Sequence, residues 1–126
     1  MDRVTWFELP ADDTARAGAF YAQVFGWKMG DMGGGSLWAQ TSSSVGDDQM
    51  TPTEPGVING DISPRSAGFN HPLIVITVQD MDEKIKLVTD AGGTIALEPQ
   101  VVEAMNMKWA IVTDTEGNNV GILQDL

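Results

Sequence analysis

Hydrophobic and polar positions alternate in short stretches along the chain, and a helical spacing replaces the alternation twice. Residues 4–9 are rich in aromatic and β-branched side chains and end at Pro10, which is typical of a strand. The next apolar positions follow a helical spacing, with Asp12 and Asp13 available as caps before them and Gly26 available to end the helix. The helix face predicted in this way contains Ala17, Phe20, Tyr21, Val24 and Phe25.

Three further strands are predicted before the middle of the chain. Residues 27–32 and 37–41 flank three consecutive glycines, which suit a turn between two strands. Residues 57–62 form another short apolar stretch. The segment between them, residues 42–56, is rich in Ser, Asp, Pro and Gly, and it is predicted to be a loop. The glycines are followed by neither a helix nor a Lys-Thr pair, so a phosphate-binding loop is not indicated.

The same order of elements begins again after a linker at residues 63–71. Residues 73–78 form the most continuous apolar stretch of the chain and are predicted to be a strand. Asp80 and Glu83 have the spacing of a capping box, so a helix should follow. Its apolar face contains Met81, Ile85 and Val88. The remaining predicted elements are a helix end at 92–93, strands at 94–97, 108–113 and 120–123, and a turn at 114–118.

The predicted order is therefore β-α-β-β-β, a linker, and β-α-β-β-β again. This pattern indicates one α+β domain of 126 residues, with one module at about 1–62 and a second at about 72–126. The modules share their element order and their helix-ending glycines, but not residue identities. An unduplicated α+β sandwich is the alternative.

The charge balance narrows the classes of partner. Seven Lys and Arg against 18 Asp and Glu give a formal net charge of −11, which disfavours nucleic acid and anionic lipid as partners. A neutral or cationic small molecule is easier to accommodate, although the acidity could serve solubility alone.

No apolar run reaches the roughly 20 residues of a membrane helix, and the first residues lack a signal-peptide pattern. A cytoplasmic location is expected, and the absence of cysteine removes any disulfide argument.

Three groups of residues form motifs along the chain. They are Asp13 with Ala19-Phe20-Tyr21 and Phe25-Gly26-Trp27; Gln79-Asp80 with Ala91-Gly92-Gly93; and Asp114-Thr115-Glu116-Gly117-Asn118 before the last strand. Together they resemble the vicinal oxygen chelate superfamily, which includes glyoxalases, bleomycin-resistance proteins and dioxygenases. The resemblance implies two βαβββ modules that form curved mixed sheets around a cavity, commonly in a homodimer. It leaves the chemistry open, because the fold hosts isomerases, epimerases, dioxygenases, thiol transferases and antibiotic-binding proteins.

The resemblance also implies where metal ligands would lie. Family metal enzymes carry them on the first, fourth, fifth and eighth strands, and the matched positions here are Trp6, Gly60, Leu73 and Gly121. None of these side chains can coordinate a metal, so neither a metal nor another cofactor is predicted.

The single histidine, His71, precedes Pro72 and is interpreted as a turn residue; a displaced ligand is the alternative. One histidine also leaves no basis for a Ser-His-Asp triad.

Strand alternation places Trp6 and Glu8 on one face, and Phe7 and Leu9 on the other. If Phe7 and Leu9 pack against the helices, then Trp6 and Glu8 face the cavity. A carboxylate among aromatic rings could act as a general acid or base, or could bind a cationic group. Pairing of Glu8 with Lys or Arg, or exposure to solvent, is the alternative. The predicted ligand-binding residues are Trp6, Glu8, Trp38, Leu73, Val75, Met107, Trp109 and Leu123.

Three functions remain open from the sequence. The first is a metal-free binding module, like the bleomycin-resistance proteins, that holds a small neutral or cationic and partly aromatic molecule. The second is a lyase, isomerase or dioxygenase of the same superfamily, with Glu8 as a candidate base. The third is a scaffold whose own side chains fill the cavity. The tryptophans could stack on a planar ligand or could simply fill the core.

Overall fold

The computed structural model describes residues 1–126, and its mixture of helices and strands confirms the predicted α+β class. The chain forms two compact units. We refer to Trp6–Pro72 as the N-terminal unit, and to Leu73–Leu126 together with Met1–Thr5 as the C-terminal unit. Each unit contains one helix and a four-stranded mixed sheet, in the predicted order β-α-β-β-β.

The N-terminal unit has the strand order β2-β3-β4-β1. Strands β4 and β1 are parallel, whereas β3 is antiparallel to both β2 and β4. The elements are β1 (Arg3–Ala11, of which Trp6–Ala11 belongs to this unit), α1 (Thr14–Phe25), β2 (Lys28–Gly33), β3 (Ser36–Gln40) and β4 (Asn59–Pro64). Strand β4 ends two residues later than predicted and includes Ser63 and Pro64, which the sequence assigned to the linker.

The C-terminal unit repeats this arrangement with the strand order β5-β8-β7-β6. Strands β5 and β8 are parallel, and β7 is antiparallel to both of its neighbours. The elements are β5 (Leu73–Thr77), α2 (Met81–Asp90), β6 (Thr94–Val102), a 3₁₀ turn (Glu103–Met105), β7 (Met107–Thr113) and β8 (Asn119–Asp125). Strand β6 is five residues longer than the predicted strand at 94–97.

The helix ends follow the predicted capping chemistry. The Asp13 side chain accepts a hydrogen bond of 2.9 Å from the Arg16 backbone N–H, and Gly26 caps the C-terminus of α1 with a φ of 72°. The Asp80 side chain accepts a hydrogen bond of 2.9 Å from the Glu83 backbone N–H at the start of α2. Each acceptor satisfies an N–H that the first turn of a helix leaves free. Neither helix has the length and apolarity that a membrane span requires.

Each sheet buries its helix-facing side. In the N-terminal unit, Phe7 and Leu9 pack with α1 around the buried residues Ala11, Ala39 and Ile62. Because successive strand residues point to opposite faces, Trp6 and Glu8 lie on the face away from α1. In the C-terminal unit, the core against α2 consists of Val78, Met81, Ala110, Val112 and Ile122. The alternation predicted for β1 is therefore present.

Candidate functional site

Three residues from adjacent strands lie in one row on the face of the N-terminal sheet that is remote from α1. Asp61 on β4 pairs in register with Glu8 on β1 and with Trp38 on β3. Trp6, two residues before Glu8, reaches the same row and donates a 2.8 Å hydrogen bond from Nε1 to Asp61 Oδ2. The structure thus brings together the predicted site residues Trp6, Glu8 and Trp38, and it adds Asp61.

Asp61 corrects the predicted register of β4. Gly60 was matched to the metal-ligand position of the fourth strand, but it pairs with Phe7 and Ala39 on the helix-facing side. A Cβ atom at Gly60 would lie 2.4 Å from the Phe7 carbonyl oxygen, so this position has no room for a side chain. A shift of one residue exchanges the faces of a strand, and here it replaces a glycine by a carboxylate. The prediction that all four matched positions lack donor atoms was therefore wrong for β4.

Asp61 is buried, with 5% of its surface exposed, and it accepts hydrogen bonds at both carboxyl oxygens. Oδ2 accepts from Trp6, and Oδ1 accepts from the Ser63 hydroxyl at 2.7 Å. Ser63 also lies 2.9 Å from the Ser36 hydroxyl. Because the single Ser63 proton is used on Asp61, Ser36 supplies the proton of the second bond. These donors hold Asp61 in one orientation and favour its charged form.

Glu8 contacts Asp61 and no cationic side chain. Burial, followed by the charge and the hydrogen bond of Asp61, raises the pKa of Glu8 to about 8. Burial also raises the pKa of Asp61, but the hydrogen bonds from Trp6, Ser63 and Glu8 oppose that change. Since Asp61 has the donors and Glu8 has none, we assign the proton at neutral pH to Glu8 and the negative charge to Asp61. Glu8 does not form the ion pair with Lys or Arg that the sequence left open as an alternative, because the ion pairs of the structure involve other carboxylates.

Two buried polar atoms of this row have no hydrogen-bond partner within the protein. They are Glu8 Oε2 and Trp38 Nε1. An orphaned buried polar atom costs about 1–3 kcal/mol, and such atoms are uncommon in folded proteins. If Glu8 donates its proton to Asp61 from Oε1, then Oε2 is a free acceptor, while the Trp38 indole N–H is a free donor. Both atoms are almost inaccessible to solvent, so a bound molecule would reach them only after neighbouring side chains move.

The Trp38 ring depends on a glycine in the neighbouring strand. Gly30 on β2 pairs in register with Trp38, and a Cβ atom at Gly30 would lie 3.1 Å from Trp38 Cε3. Glycine therefore leaves room for the indole beside β2. We refer to Trp6, Glu8, Trp38 and Asp61 together as the carboxyl–indole row.

The segment between β3 and β4 is attached beside this row. Asn59, at the start of β4, is fully buried and lies on the same face as Asp61. Its Oδ1 accepts a 2.9 Å hydrogen bond from the Thr41 backbone N–H, and its Nδ2 donates a 2.7 Å hydrogen bond to the Met50 carbonyl oxygen. The predicted loop at 42–56 is thus tied to β4 by one side chain.

The predicted site residues of the C-terminal unit also lie on the face remote from its helix. Leu73 and Val75 are buried on β5, with 3% and 1% of their surfaces exposed. Trp109 on β7 pairs in register with Leu123 on β8, and Met107 lies two residues before Trp109. These side chains are apolar apart from the indole N–H, so they bring no acid or base, and the Met107 thioether is their single soft metal ligand. His71 is exposed, as the turn interpretation predicts.

A separate cleft of about 540 Å³ opens on the helix-bearing face of the C-terminal unit. None of the predicted site residues lines it, and no side chain of the carboxyl–indole row does so. Its lining is mostly apolar, with Asp2, Lys84, Thr113, Asp114 and Thr115 as the polar residues. The Lys84 ammonium is already 2.6 Å from the Asp2 carboxylate. The convergent polar chemistry therefore lies in the row rather than in this cleft.

The donor set does not fit the metal site of the superfamily's metal enzymes. Glu8 and Asp61 are the carboxylates of the row, and no group of three or more His, Cys, Asp or Glu side chains converges anywhere in the chain. The matched positions Leu73 and Gly121 lie on the helix-remote face of the C-terminal unit and offer no donor atom. Catalytic zinc sites need three protein ligands, and other transition-metal sites likewise need several.

Comparisons with known proteins agree with the fold. Residues 3–122 match the family model described as the glyoxalase/bleomycin resistance protein/dioxygenase superfamily. A protein of Didymella fabae, described as a glyoxylase-like domain-containing protein, is 32% identical over 128 residues, which cover 95% of this chain and 91% of that protein.

Two solved structures share the fold at low sequence identity. Methylmalonyl-CoA epimerase from Streptomyces coelicolor superposes with a TM-score of 0.64 and 12% identity, covering 98% of this chain and 96% of that one. A superfamily member from Vibrio splendidus 12B01 superposes with a TM-score of 0.63 and 15% identity, with both chains fully covered. The match of a family model to nearly the whole chain identifies the protein as a member of the glyoxalase/bleomycin resistance protein/dioxygenase superfamily, as its sequence motifs predicted.

Proposed function

We propose that this protein binds a small neutral or cationic molecule, partly aromatic in character, at the carboxyl–indole row, and that no metal takes part. The observation that carries the proposal is the pair of orphaned atoms, Glu8 Oε2 and Trp38 Nε1. A ligand that offers a donor to one and an acceptor to the other would satisfy both and would remove their desolvation cost. The indole faces of Trp6 and Trp38 supply flat apolar surface for a ring.

Intrinsic tryptophan fluorescence tests this proposal against a panel of small neutral and cationic metabolites. We expect at least one compound to quench the wild-type emission with saturation, and Trp38→Phe to weaken its binding about tenfold, the effect of one hydrogen bond to a buried N–H. The matched control is Trp27→Phe, which changes an indole packed in the helix-facing core of the same unit. A panel that leaves the wild-type emission unchanged would contradict binding at this row.

An isomerase is the second candidate, and one observation favours it over the other enzyme classes. A carboxyl group with a pKa of about 8 can both give and take a proton near neutral pH, as a general acid or base must. The test is incorporation of deuterium from heavy water into carbonyl compounds, with Glu8→Gln as the inactive control. Exchange that persists in Glu8→Gln would rule out Glu8 as the proton-transfer group.

We also propose a homodimer. The exposed side of α1 carries Phe20, Val24 and Phe25, each with more than half of its surface exposed. Three large apolar side chains on one helix are typical of a surface that a partner covers. Sedimentation velocity should give twice the mass of the 13.5 kDa chain, and Phe20→Ser together with Phe25→Ser should give a monomer. A monomeric wild-type protein would contradict the proposal.

A further inference from the structure

The carboxyl–indole row contains no positive charge that would balance its carboxyl groups. Two carboxyl groups, Glu8 and Asp61, lie side by side on parallel strands, and no Lys, Arg or His is paired with either. Buried charges in proteins are normally paired with a countercharge. Here a proton shared between two acids takes the place of the countercharge, because like charges this close cannot both ionise.

The surroundings of Glu8 contain no other group that titrates against it. Asp61 is the one titratable side chain that acts on the carboxyl group. On β3 the nearest residues of the same face are Ser36 and Trp38, which do not titrate in this range. On β2, Lys28 and Asp31 are exposed. The charge state of the row is therefore set by the two acids themselves.

We propose that this row is a proton-exchange site, at which the cationic nitrogen of an amine or amidine displaces the shared proton. This inference rests on the proposed binding function and names its ligand class. In the exchange, the ligand cation enters, the Glu8 O–H bond breaks, and the proton leaves to solvent. The row holds one negative charge before binding; afterwards two carboxylates and one ligand cation again sum to one negative charge.

Both orphaned atoms fit such a ligand. Glu8 Oε2 accepts a hydrogen bond from the ligand's nitrogen, and this bond strengthens when the carboxyl group ionises. Trp38 Nε1 donates to an oxygen acceptor elsewhere on the ligand, and the indole faces attract the cation further. The ligand class is therefore a small amine or amidine that also carries an oxygen acceptor or a flat ring.

Linkage gives the exchange a measurable signature. Each bound cation should release about one proton at pH values below the pKa of Glu8, which is about 8, and none well above it. The affinity should therefore rise about tenfold for each pH unit up to that value and then level off. A neutral molecule of the same shape leaves the proton in place and should show a nearly flat profile.

Isothermal titration calorimetry with benzamidinium, methylammonium and benzamide tests the proposal between about pH 6 and pH 9.5. Benzamidinium and benzamide match in shape and differ in charge. Methylammonium is a cation small enough to enter a narrow site that would exclude the other two. Titration in two buffers of different ionisation enthalpy gives the number of protons released. For the wild type, we expect a cation affinity that rises with pH, about one proton released near pH 6.5, and no release with benzamide.

Two variants locate the effect. In Glu8→Gln the amide donates to Asp61 as the protonated acid does but has no proton to exchange, so cation binding should become independent of pH and release no proton. Glu98→Gln, on the exposed surface of β6, should behave as the wild type.

Cation binding to the wild type without proton release would overturn the proposal. So would the absence of cation binding at pH 9.5, or an unchanged pH dependence in Glu8→Gln. If a neutral panel compound still binds in a Trp38-dependent way, the binding function survives and only this inference fails.

Discussion

Glu8 and Asp61 lie directly opposite one another on parallel strands, and only Asp61 is supplied with hydrogen-bond donors from the protein. This asymmetry decides which acid holds the proton. Trp6 and Ser63 stabilise the charge on Asp61, so Glu8 becomes the weaker acid of the pair. The result is a buried neutral acid beside a buried carboxylate, on a sheet face that also carries an unpartnered indole N–H.

The raised pKa of Glu8 predicts that the protein loses stability as the pH rises. Between about pH 4.5 and pH 8, Glu8 is protonated in the folded chain and ionised in the unfolded chain. The unfolded state then binds fewer protons, so the free energy of unfolding falls with pH, by a few kcal/mol over this window, and levels off above it. Urea unfolding at several pH values measures the slope.

Glu8→Gln should remove most of this slope, because glutamine stays neutral in both states. Glu98→Gln should retain the wild-type slope. The carboxylates Asp2, Asp48, Glu54 and Asp114, whose pKa values are lowered by hydrogen bonds, affect stability only below the window. A wild-type stability that increases from pH 5 to pH 8 would show that Glu8 is ionised in the folded chain.

The two tryptophans of the row should respond differently to the same substitution. Trp6→Phe removes a hydrogen bond to the Asp61 carboxylate and should lower the free energy of unfolding by about 2 kcal/mol. Trp38→Phe removes an N–H that has no partner, so the relief of desolvation offsets the lost ring area, and stability should change by less than about 1 kcal/mol. Equal losses in chemical denaturation would mean that the Trp38 N–H is satisfied in the folded protein.

Gly60→Ala should be severely destabilising, by about 3 kcal/mol or more, because the new methyl group would meet the Phe7 backbone oxygen and ring at 2.4–2.6 Å. Backbone atoms cannot move aside cheaply within a paired strand. Gly46→Ala is the matched control, since its nearest atoms would lie 3.7 Å away in ordinary contact. Similar thermal unfolding of the two variants would contradict the register described here for β4.

The sequence predicted the fold well because its signals are local. Apolar periodicity and the caps Asp13 and Asp80 identify the two helices, and the alternation along β1 assigns Glu8 and Phe7 to opposite faces. These features depend on residues close together in the chain. They also carry the superfamily resemblance.

The missing part of the site depended on register between distant segments. Asp61 is 53 residues from Glu8 in the chain. Within β4, Asn59 and Asp61 lie on one face and Gly60 on the other, but the sequence does not show which face is remote from the helix, because glycine carries no side chain. Testing a register shifted by one residue from Gly60 would have identified Asp61. The proton on Glu8 could not be predicted without that neighbour.

Carbon-13 NMR of the glutamate side chains tests the central claim, that Glu8 is the protonated member of the pair, most directly. In protein labelled at the glutamate carboxyl carbons, Glu8→Gln identifies the Glu8 resonance by its loss. We expect that resonance to titrate with a midpoint near pH 8 in the wild type. A midpoint near the ordinary glutamate value of about 4.3 would show that Glu8 carries a charge at neutral pH and would contradict the account.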